Sequence, residues 1–196
     1  LLRIVPRKGL VIPDYPWQAV VATSANGVRA APDLVRLKTL PMLTVGPQSL
    51  AAARAAGFNR SEAQGGDVNG LARYIGKALD PADGPILYLS GAETAGNLQQ
   101  QLQDFGFIVE RAVLYDAVPV QKMPSIAIAD HDGVLLYSPR TARIWAGLAG
   151  TNVSLRHYCL SPNVAAALPE RWLKSVAPTP DEWSMLALLD PHPRTV

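Results

Sequence analysis

Short apolar runs alternate with longer amphipathic stretches along this chain. Residues 1–5 read as a strand, 19–23 and 86–89 as buried strands, and 43–45 and 107–114 as further strands. Between them, Ser24 opens a helix toward Leu37, and Pro47 opens an alanine-rich helix that Gly57 can end. Asp67 caps a helix that carries Leu71, Ile75 and Leu79 on one face, and another helix runs from Glu93 to Phe105 and stops at Gly106. Strand and helix in strict alternation, with short connections, predict a mostly parallel, doubly wound α/β sheet.

The pattern changes after Leu114. Residues 115–120 keep a strand-like alternation and then meet the breakers Pro119 and Pro124, which marks a crossing between domains. The reading is a linker strand over 1–13, a first α/β domain over 14–113, a linker strand over 114–120, a second α/β domain over 121–190 and a tail over 191–196. In the second domain, 133–137, 154–160 and 174–176 are strands, helices follow Ser138 and Pro162, and a last helix covers 180–189.

One motif occurs twice. The apolar run that ends Thr23-Ser24-Ala25-Asn26-Gly27 and the run that ends Tyr137-Ser138-Pro139-Arg140 both break at a serine and turn into a helix. Gly46 follows Ser24 by 22 positions and Ser161 follows Ser138 by 23, and each is followed by a proline at the first helical position. In parallel sheets, unpaired N–H groups and helix dipoles converge at the carboxyl ends of the strands. Two such ends suggest two crevices serving one anionic ligand, although two ordinary β/α units of typical length give the same spacing.

Composition narrows the partners. With 48% hydrophobic residues in 196 and a net charge of +2, the chain suits a globular protein, and no Lys/Arg cluster with interleaved aromatics marks a nucleic-acid or membrane surface. Cys159 alone cannot form an internal disulfide, which fits a reducing cytoplasm, and His131, His157 and His192 lack metal-ligand spacing, so no metal is assigned. Ser90-Gly91-Ala92-Glu93 is no phosphate loop, because neither the second glycine nor the lysine is present. Trp17, Trp145, Trp172 and Trp183 are expected to pack in cores or at a domain seam.

Taken together, Thr23-Ser24-Ala25-Asn26-Gly27-Val28, Thr44-Val45-Gly46, Leu89-Ser90-Gly91 through Leu102-Gln103-Asp104-Phe105-Gly106, Val113-Leu114-Tyr115 and Tyr137-Ser138-Pro139 resemble the uroporphyrinogen-III synthase family. The resemblance implies two flavodoxin-like α/β domains joined by a two-stranded ladder, with residues 2–5 and 114–118 as its strands and the active site between the domains. Family members ordinarily begin further upstream with a strand, a Thr-Arg-Pro-like turn and a helix of the second domain; this chain departs there. The implied reaction is that of a cyclising lyase of porphyrin and heme biosynthesis. It takes the polycarboxylate hydroxymethylbilane, inverts the terminal pyrrole ring and closes the macrocycle to uroporphyrinogen III with loss of water, with no cofactor. A monomer is expected, and the alternative is a non-catalytic two-domain module that binds an anionic small molecule.

Tyr115 matches a family tyrosine proposed as the general acid for departure of the substrate hydroxyl, a role that a neutral phenol can fill. A hinge tyrosine packed between domains would look the same. Ser24 with Ala25 and Asn26, Gly46, Ser49, Gly91, Ser138, Arg140 and Asn163 are the candidate substrate contacts, placed at strand ends and in first helical turns. Helix capping is the competing account for both serines. Arg29, Arg140 and Arg143 lie where cations oppose the helix dipole, and Arg140 is preferred as an anion contact. Asn163-Val164 stands where the family often has Thr-Thr.

Overall fold

The computed structural model of the chain describes residues 1–32, 35–123, 132–150 and 155–189. Pro124, Ser154, His131, His192 and the tail from Asp190 lie outside the described residues. Two compact units emerge, one of Ile4–Val118 and one of Leu1–Arg3 with the chain from Pro119 onward.

In the first unit, a six-stranded sheet has the order β1-β6-β5-β2-β3-β4. Its strands are β1 (Leu2–Pro6), β2 (Ala19–Ala22), β3 (Met42–Thr44), β4 (Ser61–Ala63), β5 (Ile86–Gly91) and β6 (Val109–Pro119). The pairs β2–β3, β2–β5, β3–β4 and β5–β6 are all parallel. Side chains alternate between two cores, as the pleat requires. Val20, Ala22, Leu87 and Leu89 pack on one face with α1 (Ala25–Ala30) and α2 (Pro47–Ala55). Val21, Ile86 and Tyr88 pack on the other with α3 (Val68–Ala78) and α4 (Leu98–Asp104). The central strands β2 and β5 are buried along their whole length, which is why they appear in the sequence as unbroken apolar runs.

Three expectations need correction, and one strand was not expected. The helix opened by Ser24 ends at Ala30, because Pro32 forces Ala31 into an extended conformation (φ −71, ψ 127); a separate 3-10 turn covers Val35–Leu37, and residues 33 and 34 lie outside the described residues. The helix expected from Glu93 starts only at Leu98, since Gly96 takes φ 82 and residues 92–97 form a loop. The stretches expected as strands over 107–114 and 115–120 form one continuous strand, β6. The polar strand β4 has no apolar signature and carries the sheet beyond β3. Counted from β2, the strands β2 to β6 lie in the order 3-2-1-4-5, that of a doubly wound sheet. The chain therefore reverses direction between the neighbours β2 and β5.

The second unit holds the parallel sheet β7-β8-β9, made of β7 (Gly133–Leu136), β8 (Arg156–Cys159) and β9 (Lys174–Val176). Leu136, Trp145, Cys159, Val164 and Trp172 form its core with α5 (Pro139–Ala149) and α6 (Pro162–Ala165). On α7 (Glu182–Ala187) Met185 is buried, whereas Trp183 points away and is 85% exposed. Trp183 is thus a surface residue, contrary to the expectation for the four tryptophans; Trp17, Trp145 and Trp172 are core.

His157 is 0% exposed and stacks on Trp172 with ring centroids 4.6 Å apart. Its Nδ1 lies 3.1 Å from the Leu173 carbonyl, which fixes the proton on Nδ1, and its buried Nε2 has no partner among the described residues. Burial lowers the imidazole pKa below its ordinary value. Above about pH 6.5 the ring is neutral both folded and unfolded, and the stabilisation is complete. As pH falls below that value only the unfolded chain takes up the proton, so stability drops. Thermal unfolding from pH 8 to pH 5 should show a falling Tm for the wild type, and His157→Phe should lose that part of the slope.

A second expectation concerns the approach of α1 to β5. A Cβ at Gly27 would lie 2.6 Å from the Leu89 carbonyl oxygen, so Gly27→Ala must push helix from sheet. Denaturant unfolding should show a loss of about 1–3 kcal/mol, as for other overpacked interiors. Gly147→Ala, at an exposed position of α5 with nothing within 4 Å, should instead raise stability by about 0.5–1 kcal/mol.

Candidate functional site

The reversal between β2 and β5 leaves a crevice at the carboxyl ends of these strands, where open α/β sheets bind ligands. A cavity of about 430 Å³ occupies it. Thr23 and Ser24 enter from the end of β2, Val45 follows β3, and Asp67 and Val68 come from the start of α3. Gly91, Glu93, Thr94 and Ala95 enter from the end of β5, and Tyr115 enters from β6.

Tyr115 reaches the cavity through a register slip. Ser90 pairs with Val113 but Gly91 pairs with Tyr115, so Leu114 is an extra residue on β6. Before the slip, Ala112 and Leu114 point to the α1/α2 face; after it, Tyr115 and Ala117 do. Two consecutive residues, Leu114 and Tyr115, thereby share one face, as a β-bulge allows. The Tyr115 ring lies directly on Gly91, where a Cβ would come within 2.6 Å of Cζ and 3.0 Å of the hydroxyl. Glycine at 91 serves as the seat of the ring. The Tyr115 residue is 7% exposed, its carbonyl accepts from the Ala92 N–H at 2.8 Å, and its hydroxyl has no partner among the described residues.

The rest of the rim is hydroxyl and carboxyl. The Thr23 Oγ1 lies 2.9 Å from the Tyr88 hydroxyl, and burial pushes the Tyr88 phenol pKa up while the Thr23 bond and the positive charge of Arg111 pull against it. Ser24 caps α1, its Oγ accepting from the Asn26 N–H at 3.2 Å. Asp67 caps α3, its carboxylate accepting from the Gly70 N–H at 2.6 Å. Asp67 and Glu93 line the mouth, and among the described residues no Lys or Arg lines the cavity.

Of the contacts expected in this unit, Ser24, Gly91 and Tyr115 come together. Ala25 is buried in the core, and Asn26, Gly46 and Ser49 line α1 and α2 rather than the cavity. Thr23, Asp67, Glu93 and Thr94 belong to the lining although the sequence reading did not select them as contacts. A loop after every strand end was the available signal; an expected helix from Glu93 hid it.

In the second unit Ser138, Arg140 and Asn163 gather at the carboxyl edge of β7 and β8. Ser138 caps α5, its Oγ accepting from the Thr141 N–H at 3.1 Å. The Thr141 hydroxyl donates to the Ser138 carbonyl at 3.0 Å, so the 2.9 Å contact between the two hydroxyl oxygens must be donated by Ser138. The Ser138 hydroxyl is spent within its own cap. The Ser24 hydroxyl donates its hydrogen to no partner among the described residues. Arg140 is half-buried, and Asn163 is exposed in α6.

Among the described residues no helix is long and apolar enough to cross a membrane, and no group of three or more His, Cys, Asp or Glu could hold a metal ion. Comparison with known proteins extends the geometry. No curated protein matches the chain significantly. The crystal structure of uroporphyrinogen-III synthetase from Helicobacter pylori shares its fold at a TM-score of 0.73 and 16% identity, covering 96% of this chain and 89% of that one. Uroporphyrinogen III synthase from Thermus thermophilus matches at a TM-score of 0.45 and 17% identity, covering 88% of this chain and 74% of that one. The family model described as uroporphyrinogen-III synthase HemD matches residues 1–187, and the chain belongs to that family.

Proposed function

We propose that this chain is a monomeric, cytoplasmic, cofactor-independent lyase that closes hydroxymethylbilane to uroporphyrinogen III with inversion of the terminal ring and loss of water. We assign it two flavodoxin-like domains over 14–113 and 121–190, joined through linker strands at 1–13 and 114–120, with a tail over 191–196. Family membership supports the reaction. The observation that carries the site assignment is the Tyr115 phenol, held by a bulge against Gly91 at the carboxyl ends of the strands.

The chemistry asked of the protein is modest. Electron density from the pyrrole that bears the hydroxymethyl group expels its oxygen, and the Tyr115 O–H supplies the proton that turns the leaving group into water. The methylene carbon so exposed bonds the pyrrole at the other end of the chain at the α-carbon that already carries its bridge. That bridge bond breaks and re-forms at the same ring's free α-carbon, and the phenolate recovers the proton this carbon loses, so the ring is inverted and the enzyme ends unchanged. Control of shape is the larger task, because a flexible chain closes correctly only when its two ends are held in the productive conformation.

The charge of the rim orients the substrate. Asp67 at this mouth suits the N–H donors of pyrrole rings, and the Ser24 hydroxyl suits a carboxylate arm. Ser24, with a free hydroxyl hydrogen, is the better donor to a carboxylate than Ser138. Backbone groups, Arg140 and Asn163 remain the candidates around the carboxyl edge of β7 and β8.

Incubation with hydroxymethylbilane and separation of the products by isomer tests the assignment. An excess of the type III isomer is expected; a product ratio equal to that of spontaneous closure would reduce the protein to a binding module. Tyr115→Phe should lower kcat by about 10²-fold while the product remains type III, and unchanged turnover would remove Tyr115 from the acid role. Ser24→Ala should raise KM roughly tenfold, the cost of one charge-assisted hydrogen bond. Ser138→Ala should leave KM within error and reduce stability by about 0.5–2 kcal/mol, the cost of a lost cap.

A further inference from the structure

One cation stands behind the cavity without lining it. Arg111, on β6 opposite Tyr88, directs its guanidinium along the α3/α4 face of the sheet toward the end of β5. Its Nε donates to the Ser90 Oγ at 2.8 Å, and one Nη donates to both the Gly91 carbonyl at 2.7 Å and the Ala92 carbonyl at 2.9 Å. These residues hold the register slip between β5 and β6. From the opposite face, the Tyr115 ring rests on Gly91, and the Tyr115 carbonyl takes the Ala92 N–H. The strand end is therefore gripped on both sides.

The grip has a physical purpose. A bulge interrupts the ladder and leaves carbonyl groups turned away from their ordinary partners. A guanidinium presents several donors in a rigid planar fork, and here it satisfies two successive carbonyls and a hydroxyl at once. A lysine ammonium is a compact charge on a flexible stem and does not reproduce that fork. The loop that follows, with Glu93, Thr94 and Ala95, forms one wall of the cavity, so the same three bonds set the wall and the seat of the ring.

We propose that Arg111 is a positioning residue, whose hydrogen bonds to Ser90, Gly91 and Ala92 fix the bulge that aims the Tyr115 phenol into the cavity. This rests on the role assigned to Tyr115 above. Arg111 needs no contact with the substrate; it acts through the backbone.

The test labels the full chain with tyrosine carrying ¹³C at Cζ and identifies the Tyr115 resonance as the one missing from Tyr115→Phe. Arg111→Ala should shift or broaden that resonance while Tyr15 and Tyr137 stay in place, and added guanidinium ion should move it back. Arg111→Lys should give an intermediate displacement, and Arg111→Gln serves if the alanine variant does not fold. In turnover, Arg111→Ala should lower kcat roughly tenfold with little change in KM, a misplacement effect. Combined with Tyr115→Phe, it should add almost nothing. A Tyr115 resonance unmoved in a folded Arg111 variant, or kcat losses that multiply in the double variant, would overturn the proposal. If the wild type forms no type III isomer, the functional assignment fails, and the resonance alone decides the role of Arg111.

Discussion

A parallel strand pair that kept its register past Ser90 would place residue 115 on the α3/α4 face of the sheet, away from α1 and the rim formed by Thr23 and Ser24. The extra residue Leu114 reverses that phase. The reversal carries costs, because the ladder loses regularity and the ring must lie against bare backbone. Gly91 meets the second cost by having no Cβ, and the Ala92 N–H together with the Arg111 fork meets the first. Remove any of these and the phenol loses its direction before it loses its place in the chain. The functional reading of the first unit depends on this single irregularity.

The close approach of α1 to β5 works toward the same end. With Gly27 above the Leu89 carbonyl, the helix sits near enough to the sheet that its cap residue Ser24 reaches the cavity rim. Placing that cap beside the end of β5 requires β2 and β5 to be neighbours, which follows from the reversal in strand order. A hydroxyl from one strand end and a phenol from another thus meet because of topology, not because of any sequence motif that joins them.

Much of the fold was legible in the chain, and for identifiable reasons. Buried parallel strands such as β2 and β5 must be apolar on both faces, so they appear as unbroken runs. The caps at Ser24, Asp67 and Ser138 are written in residue type, because few side chains accept a backbone N–H at that position. The edge strand β4, Ser-Glu-Ala, buries little and leaves no hydrophobic trace. The slip at Leu114 was hidden for the opposite reason: a continuous run of apolar and polar residues in β6 is compatible with either phase, and only the partner strand selects one. Arg111 was unmarked since its partners are two carbonyls and a serine in a neighbouring strand, and carbonyls have no sequence signature.

The two serines show how far a repeated motif can be trusted. Both end a strand, both cap a helix, and both accept an N–H through Oγ. One additional residue type separates them. Thr141, three positions after Ser138, directs its own hydroxyl at the Ser138 carbonyl and so obliges Ser138 to donate inward. Ser24 has Gly27 at the same offset, and a residue without a side chain makes no such demand. Gly27 is there for the approach to Leu89, yet its consequence is a hydroxyl left free to donate at the cavity. Packing between helix and sheet, rather than the motif itself, determines which copy keeps a hydroxyl hydrogen to donate outward.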